Sequence, residues 1–257
     1  KNGVGIFCVP NASGTISGNT IAENIEGGII CHNYSRPIIS DNIITSNLGW
    51  AGGIHCSYHS NATIEWNLIT ANSLGISCVE YSSPTIKGNN ITANGGDGIA
   101  LGDSDAFVTG NTIKFNNHAG IWGGFSSPVI QGNKITSNNI FGIAFEHNCT
   151  GIIQGNIIVN NSEGIHLFDH CSPLIQGNII KSNMDTGVRC GGSSNPEVHW
   201  NEIYGNEEHG IKNDDSSITV NATNNYWGSA SGPVQLPPDA TDPEEVSQYV
   251  LYDPWLT

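Results

Sequence analysis

Residues 82–99 read SSPTIKGNNITANGGDGI, and residues 126–143 read SSPVIQGNKITSNNIFGI. Both open on Ser-Ser-Pro, carry Gly-Asn followed two residues later by Ile, and return to Gly-Ile, with a diverged copy between them. Self-similarity at a period of roughly 20–50 residues marks an architecture in which each repeat buries its apolar face against the next. Working outward, the Gly-Ile step recurs at Gly5-Ile6, Gly28-Ile29, Gly53-Ile54, Gly75-Ile76, Gly98-Ile99, Gly120-Ile121, Gly142-Ile143, Gly164-Ile165, Gly187-Val188 and Gly210-Ile211, at spacings of 22 to 25 residues.

Two residues after each Ile stands a second small or apolar position: Cys8, Cys31, Cys56, Cys78, Leu101, Gly123, Phe145, Leu167 and Cys190. Residues two apart share one face of a strand. A second strand is marked by Ile16, Ile39, Ile64, Ile86, Val108, Ile130, Ile153, Ile175 and Val198, and a third by Ile21, Ile44, Ile69, Ile91, Ile113, Ile135, Ile158, Ile180 and Ile203. Three short strands per repeat, rich in β-branched residues and without helical periodicity, predict an all-β fold: a parallel β-helix solenoid of about ten coils over residues 1–220. The chirality of parallel crossovers makes it right-handed.

The corners agree. Asn19, Asn42, Asn67, Asn89, Asn111, Asn133, Asn156, Asn178 and Asn201 form one column, and Asn24, Asn47, Asn72, Asn94, Asn116, Asn138, Asn183 and Asn206 another. Stacked asparagine amides bond to one another along such a column, so these are read as structural ladders. A small-residue turn stack is read at Ser35, Ser60, Ser82, Ser127, Cys149, Cys171, Ser194 and Ser217. The seven cysteines are read mainly as buried free thiols, because like residues in adjacent coils sit about 4.8 Å apart while a relaxed disulfide needs Cβ atoms about 3.8 Å apart. Cys149 with Cys171 is the pair most open to oxidation. From about Asn221 the period breaks into NNYWGSASGP and a Pro-rich acidic segment; residues 221–257 are read as a C-terminal cap plugged by Tyr226, Trp227, Tyr249, Leu251, Trp255 and Leu256. The first coil, from Lys1-Asn2, has no such cover and is read as an open end suited to docking.

Net charge is −15, with eight Lys and Arg in all. That argues against nucleic acid as a partner, since phosphate binding needs clustered cations. No apolar run approaches the roughly 20 residues of a membrane-spanning helix.

The coil pattern GNxIxxNxxGI with SSPxI before it resembles the parallel β-helix repeat family, which includes pectate-lyase-like and NosD-like surface proteins. The NNYWGSASGP ending resembles the closing motif of bacterial and archaeal surface members. The resemblance implies the fold over nearly the whole chain and an extracellular or cell-surface location. It implies no catalytic set: neither the calcium-binding acids with a basic residue of the lyases nor the clustered aspartates of the hydrolases has a counterpart here.

Function is therefore sought on outward positions. One outward column reads Phe7, Ile30, His55, Ser77, Ala100, Trp122, Ala144, His166, Arg189 and Lys212; the next reads Val9, His32, Ser57, Val79, Gly102, Gly124, Glu146, Phe168, Gly191 and Asp214. Trp122, among Ala100, Gly102, Gly124 and Ala144, is expected to lie on a shallow shelf that suits the apolar face of a sugar. Glu146, His166, Asp169, Arg189 and Lys212 follow in nearby coils. They are candidates for acid–base and carbohydrate-binding roles, or an ion-paired surface in which Glu146 and Asp169 offset Arg189 and Lys212. Asp97, Asp103 and Asp105 are candidate calcium ligands, and His147, His170, Cys149 and Cys171 candidate ligands for a softer metal, though no cofactor is indicated.

Two readings follow. The first is a structural or adhesive surface protein, non-catalytic, stacking through its open first coil onto another β-helix, into filaments if repeated. The alternative is a β-helix that binds or degrades polysaccharide (a lyase or hydrolase) through the outward face from Trp122 to Arg189.

Overall fold

The computed structural model describes residues 2–235 and 245–257; the acidic Pro-rich stretch at 236–244 and Lys1 lie outside the described residues. The expected solenoid is present. Three parallel sheets run along one axis, with 12, 11 and 9 strands. The first sheet begins with Val4–Cys8 and Gly27–His32, the second with Ser13–Ser17 and Arg36–Ser40, the third with Thr20–Ala22 and Ile43–Thr45. The third sheet counts nine complete turns. A tenth turn keeps its first two strands, Ile211–Asn213 and Val220–Asn221, and reduces its third to one parallel bridge between Glu202 and Tyr226.

Register follows the repeat. Ile29 pairs with Ile54, Ile91 with Ile113 and Ile143 with Ile165, so like residues stack coil on coil. The isoleucines of these columns are fully buried from Ile29 to Ile211. Each is worth about 1.5–3 kcal/mol, whereas an exposed ion pair such as Lys87–Glu65 (2.7 Å) contributes about 0–1 kcal/mol. The aliphatic column therefore holds the fold, not the surface charge. The invariant glycine of the Gly-Ile step has a steric cause. A Cβ on Gly98 would lie 2.7 Å from both the Gly120 carbonyl oxygen and Ile113 Cγ2, and 2.8 Å from Asn116 Nδ2.

Both asparagine ladders are formed. Each Oδ1 accepts from the backbone N–H and the Nδ2 of the Asn one coil before, as Asn133 does from Asn111 at 2.9 Å each. Asn161 completes the second ladder, and Asn225 carries the first one turn further, into the stretch where the period fails. The turn stack forms as expected through Ser35, Ser60 and Ser82 and again through Cys149, Cys171 and Ser194, and differs at two positions. Ser126, not Ser127, bonds with Ser104 and Cys149, and the column passes through Cys171 to Ser194. Ser217 stands outside it, bonded to Asp215 instead. All seven cysteines are buried free thiols, and Cys8, Cys31, Cys56 and Cys78 stack in register. The Cys31 thiol and burial push the pKa of Cys8 well up.

Beyond Asn221 the chain rejoins the sheets. Glu245–Val246 pairs with the first sheet at Ile211, and Val250–Leu251 pairs with Val220–Asn221. Of the six expected plug residues, Trp227 alone is fully buried; Trp255 is partly buried against the core, and Tyr249 and Leu251 are exposed. Leu251 ends the strand Val250–Leu251 with its side chain outward, and Tyr249 stands in the turn before it, at φ 61°.

Candidate functional site

The outer face of the first sheet is the continuous surface on which chemistry could collect. Strand pairing sets Ala100, Trp122, Ala144, His166, Arg189 and Lys212 side by side in successive coils, as the columns predict. The Trp122 indole lies over its own neighbour's bare backbone: a Cβ on Gly124 would stand 2.6 Å from Trp122 Cη2. The ring is thus laid flat on the sheet and half-buried, less proud than expected.

The charged part of the face is wired differently from expectation. Arg189 donates from Nε to Asp214 (2.7 Å) and from Nη1 to Glu163 (3.1 Å), and Glu163 bonds His166 Nδ1 at 2.8 Å. Glu163 is nearly buried beneath these partners. The His166 ring packs on Phe141, Phe141 on His118, and His118 Nδ1 meets Asp97 at 2.6 Å. One network therefore runs from Asp97 to Asp214 along the edge of the sheet. The pairing of Glu146 and Asp169 with Arg189 and Lys212 is replaced: Asp169 stands at the corner, bonded to His147 and His170 at 2.7 and 2.8 Å. Glu146 lies in register with Gly124 and Phe168, in the next column over. Glu163 and Phe141 were not singled out. Their signal was a column two residues before each inward Ile, where Gly27, Ala119 and Thr186 give way to Asp97, Phe141 and Glu163.

The candidate metal ligands do not converge. Asp97 precedes the strand Ile99–Gly102, whereas Asp103 and Asp105 follow it at the opposite corner, where Asp105 accepts from Ser127 N. Cys149 and Cys171 are buried in the core while His147 and His170 face outward. Among the described residues no three His, Cys, Asp or Glu side chains are grouped to hold a metal.

A deeper concavity than the Trp122 shelf lies elsewhere on the same face, in the first four coils. A cleft of about 690 Å³ is lined by residues that include Phe7, Glu26, His32, Trp50, His55, Tyr58 and Glu80. Its wall is a corner insertion in the second coil, whose 25-residue repeat is the longest in the chain. The insertion is seated by close approach. A Cβ on Gly49 would fall 2.3 Å from the Glu26 backbone, Ala51 is fully buried, and the Ala51 N–H donates to the Glu26 carbonyl at 3.0 Å. Ser73 bonds the Gly49 carbonyl from the next coil. Trp50 is held 64% exposed on this support, its ring edge-on to His55 at 4.9 Å. Across the floor, His32 bonds Ser57 at 3.1 Å and packs edge-on to Tyr58 at 4.8 Å. A bond to Glu80 raises the pKa of the Tyr58 phenol.

His55 is the buried titratable group of the floor, and its Nδ1 has no hydrogen-bond partner among the described residues. Burial pushes its pKa below the ordinary 6.5, with Glu80 pulling the other way and His32 reinforcing the drop. The folded form is therefore neutral where an unfolded histidine starts to take up a proton. Stability from this group is present above pH 6.5 and is lost as pH falls below it. His209, also buried and pushed down by burial, adds a second share of the same sign. Between pH 7 and pH 5 these two groups should lower the unfolding midpoint, against an opposite share from His147, whose pKa the bond to Asp169 raises, and His55→Gln should remove part of the lowering while leaving the His209 part. An unchanged slope in the variant would mean that His55 is not the group desolvated.

Solved structures of similar fold are known. The chain superposes on the periplasmic alginate epimerase AlgG with a TM-score of 0.65 at 20% identity, over 89% of this chain and 61% of that one. It superposes on the A-module of the Azotobacter vinelandii mannuronan C-5 epimerase AlgE6 with a TM-score of 0.60 at 16% identity, over 94% and 80%. The chain thus spans about three fifths of the length of AlgG, and at these identities the likeness is one of fold. Comparison with curated protein sequences gives no match. The model of the right-handed β-helix region matches residues 1–107 and 74–227, and with the stacked, in-register coils this shows that the chain belongs to the parallel β-helix repeat family.

Proposed function

We propose that this β-helix binds polysaccharide along the outer face of its first sheet, with the cleft of the first four coils as the anchoring site and the Trp122 shelf as an outlying contact. The observation that carries the reading is Trp50, raised on a rigid corner above a cleft that also holds His32, His55, Tyr58 and Glu80. An aromatic wall beside a few convergent polar groups is the usual make-up of a small-ligand site, and an amphipathic ring suits the two-sided surface of a sugar. The face is linear. Coils repeat at about 4.8 Å, a step comparable to one pyranose of an extended chain, so a polymer lying along the axis meets equivalent positions in turn. The two structural neighbours act, by their names, on alginate and on mannuronan, and a glycan ligand together with a periplasmic neighbour supports a location outside the cytoplasm. Buried thiols such as Cys8, with its raised pKa, are protected from oxidation there.

Between stacking and glycan binding, the cleft favours the second. End-to-end stacking through the first-coil strand edges makes no use of a furrow on the side wall. The test is a polysaccharide panel by affinity electrophoresis and calorimetry. At least one glycan should bind, and Trp50→Ala should weaken it by about tenfold or more with the β circular-dichroism spectrum unchanged. Retained affinity in Trp50→Ala would move the site away from the cleft, and no binding anywhere in the panel would sink the reading. Release of new reducing ends or unsaturated products in the same panel would add catalysis.

A further inference from the structure

The class of glycan can be narrowed from the charge around the cleft, and this step rests on the polysaccharide reading. Two glutamates, Glu26 and Glu80, line the cleft, and among the described residues no Lys or Arg lines it. The cations among the described residues are few and placed elsewhere. Arg36 and Lys87 lie on strands of the second sheet, and Lys114, Lys134 and Lys181 on strands of the third. Lys87 is paired with Glu65, while Lys114 and Lys181 sit over Phe115 and Tyr204. Arg189 and Lys212 do stand on the first sheet, but His55 is separated from Arg189 by six strand-to-strand steps, about 29 Å. That is several times the screening length of about 8 Å at physiological salt, and Arg189 is already held between Glu163 and Asp214. A sugar carboxylate entering the cleft would meet two like charges and, among the described residues, no lysine or arginine to offset them.

What the cleft does present suits hydroxyls. Phe7, Trp50 and Tyr58 each expose half or more of their surface, 52%, 64% and 50%, which gives flat apolar rings for the C–H faces of pyranoses. Glu26 and Glu80 offer oxygens that accept from sugar O–H groups, and hydrogen bonds to a charged acceptor are among the stronger ones. Ser57 and His32 are already bonded to each other and so are fixed in orientation. We infer that the cleft is built for an uncharged glycan, a neutral hexose or pentose chain stacked on Trp50 with hydroxyls donated to Glu26 and Glu80, and that it disfavours polyuronates. The ligand class thus differs from that in the names of the structural neighbours.

The experiment is calorimetric titration of the intact chain with two sets of hexasaccharides, neutral (gluco-, manno- and xylo-configured) and uronic (mannuronate, guluronate and galacturonate). Each set is run with EDTA and again with calcium. At least one neutral oligosaccharide should bind, at least tenfold more tightly than any uronate in either buffer. Trp50→Ala and Glu80→Gln should each weaken that binding, and the charge-removing Glu26→Gln/Glu80→Gln pair should narrow the gap to the uronates. A uronate bound more tightly than every neutral sugar, with or without calcium, would overturn the inference and leave the polysaccharide reading standing. Neutral binding untouched by Trp50→Ala and Glu80→Gln would overturn the assignment to this cleft. Failure of both sets to bind would overturn the polysaccharide reading itself. Circular dichroism of each variant separates lost binding from lost fold.

Discussion

Asn111→Ala is expected to lower unfolding free energy by about 3–5 kcal/mol, because it opens a buried, fully used hydrogen-bond site in mid-ladder. The Asn111 side chain donates to the Ile86 and Thr109 carbonyls at 2.9 and 3.1 Å and to Asn133 Oδ1 at 2.9 Å. Its own Oδ1 accepts from the Asn89 backbone and side chain at 2.9 and 3.0 Å. Alanine satisfies none of these, and water has no route to a position 1% exposed. Asn90, which opens the strand Asn90–Thr92 one coil earlier, is exposed, so Asn90→Ala should stay within about 0.5 kcal/mol of the parent. Urea unfolding followed by circular dichroism reads both. Equal midpoints for the two variants would mean that the ladder contributes no more than surface asparagines do. Each coil contacts only its neighbours, so the loss in Asn111→Ala should also make unfolding less cooperative, the two halves separating at the fifth coil.

Phe145→Ala is the second large effect, about 3–5 kcal/mol. Phe145 is fully buried and in register with Gly123, whose missing side chain it replaces: a Cβ on Gly123 would lie 3.0 Å from Phe145 Cδ1. Removing the ring therefore leaves two adjacent coils with nothing larger than one methyl group at the same inward position. The flanking coils fill it with Leu101 and Leu167. Gly123→Leu with Phe145→Leu should recover most of the loss, a coupling that a double-mutant cycle measures directly. Additive losses would show that the ring and the glycine are not a complementary pair. The pair lies in the strands that carry Trp122, so Phe145→Ala should also loosen the shelf that supports the indole.

These two effects differ in how they could be seen in advance. The asparagine ladder was legible as a column of identical residues, down to its structural role. Only Asn161 and Asn225 escaped, one passed over within a regular coil and the other lying where the period breaks. The Gly123–Phe145 pair was legible as a column but not as a pair, since which ring fills which gap depends on packing. The charged face was half legible. His166, Arg189 and Lys212 do adjoin, yet the carboxylates that neutralise Arg189 are Glu163 and Asp214, reached by rotamers that sequence offset does not specify. The cleft escaped altogether, although His55 and His32 stood in the outward columns. Its wall is an insertion, and an insertion is what a periodic reading discards.

The sequence by itself determined the architecture of this protein. In a parallel β-helix a residue offset of one repeat becomes a spatial step of one coil, so sequence columns are physical columns for core, ladders and outward rows alike. Tertiary structure alone decided where a cleft opens. A concavity arises where one coil departs from the others: the corner at Gly49–Gly52 is held against Glu26 by close backbone contact, and Trp50 rises beside His55 because that contact leaves its side chain no place in the core.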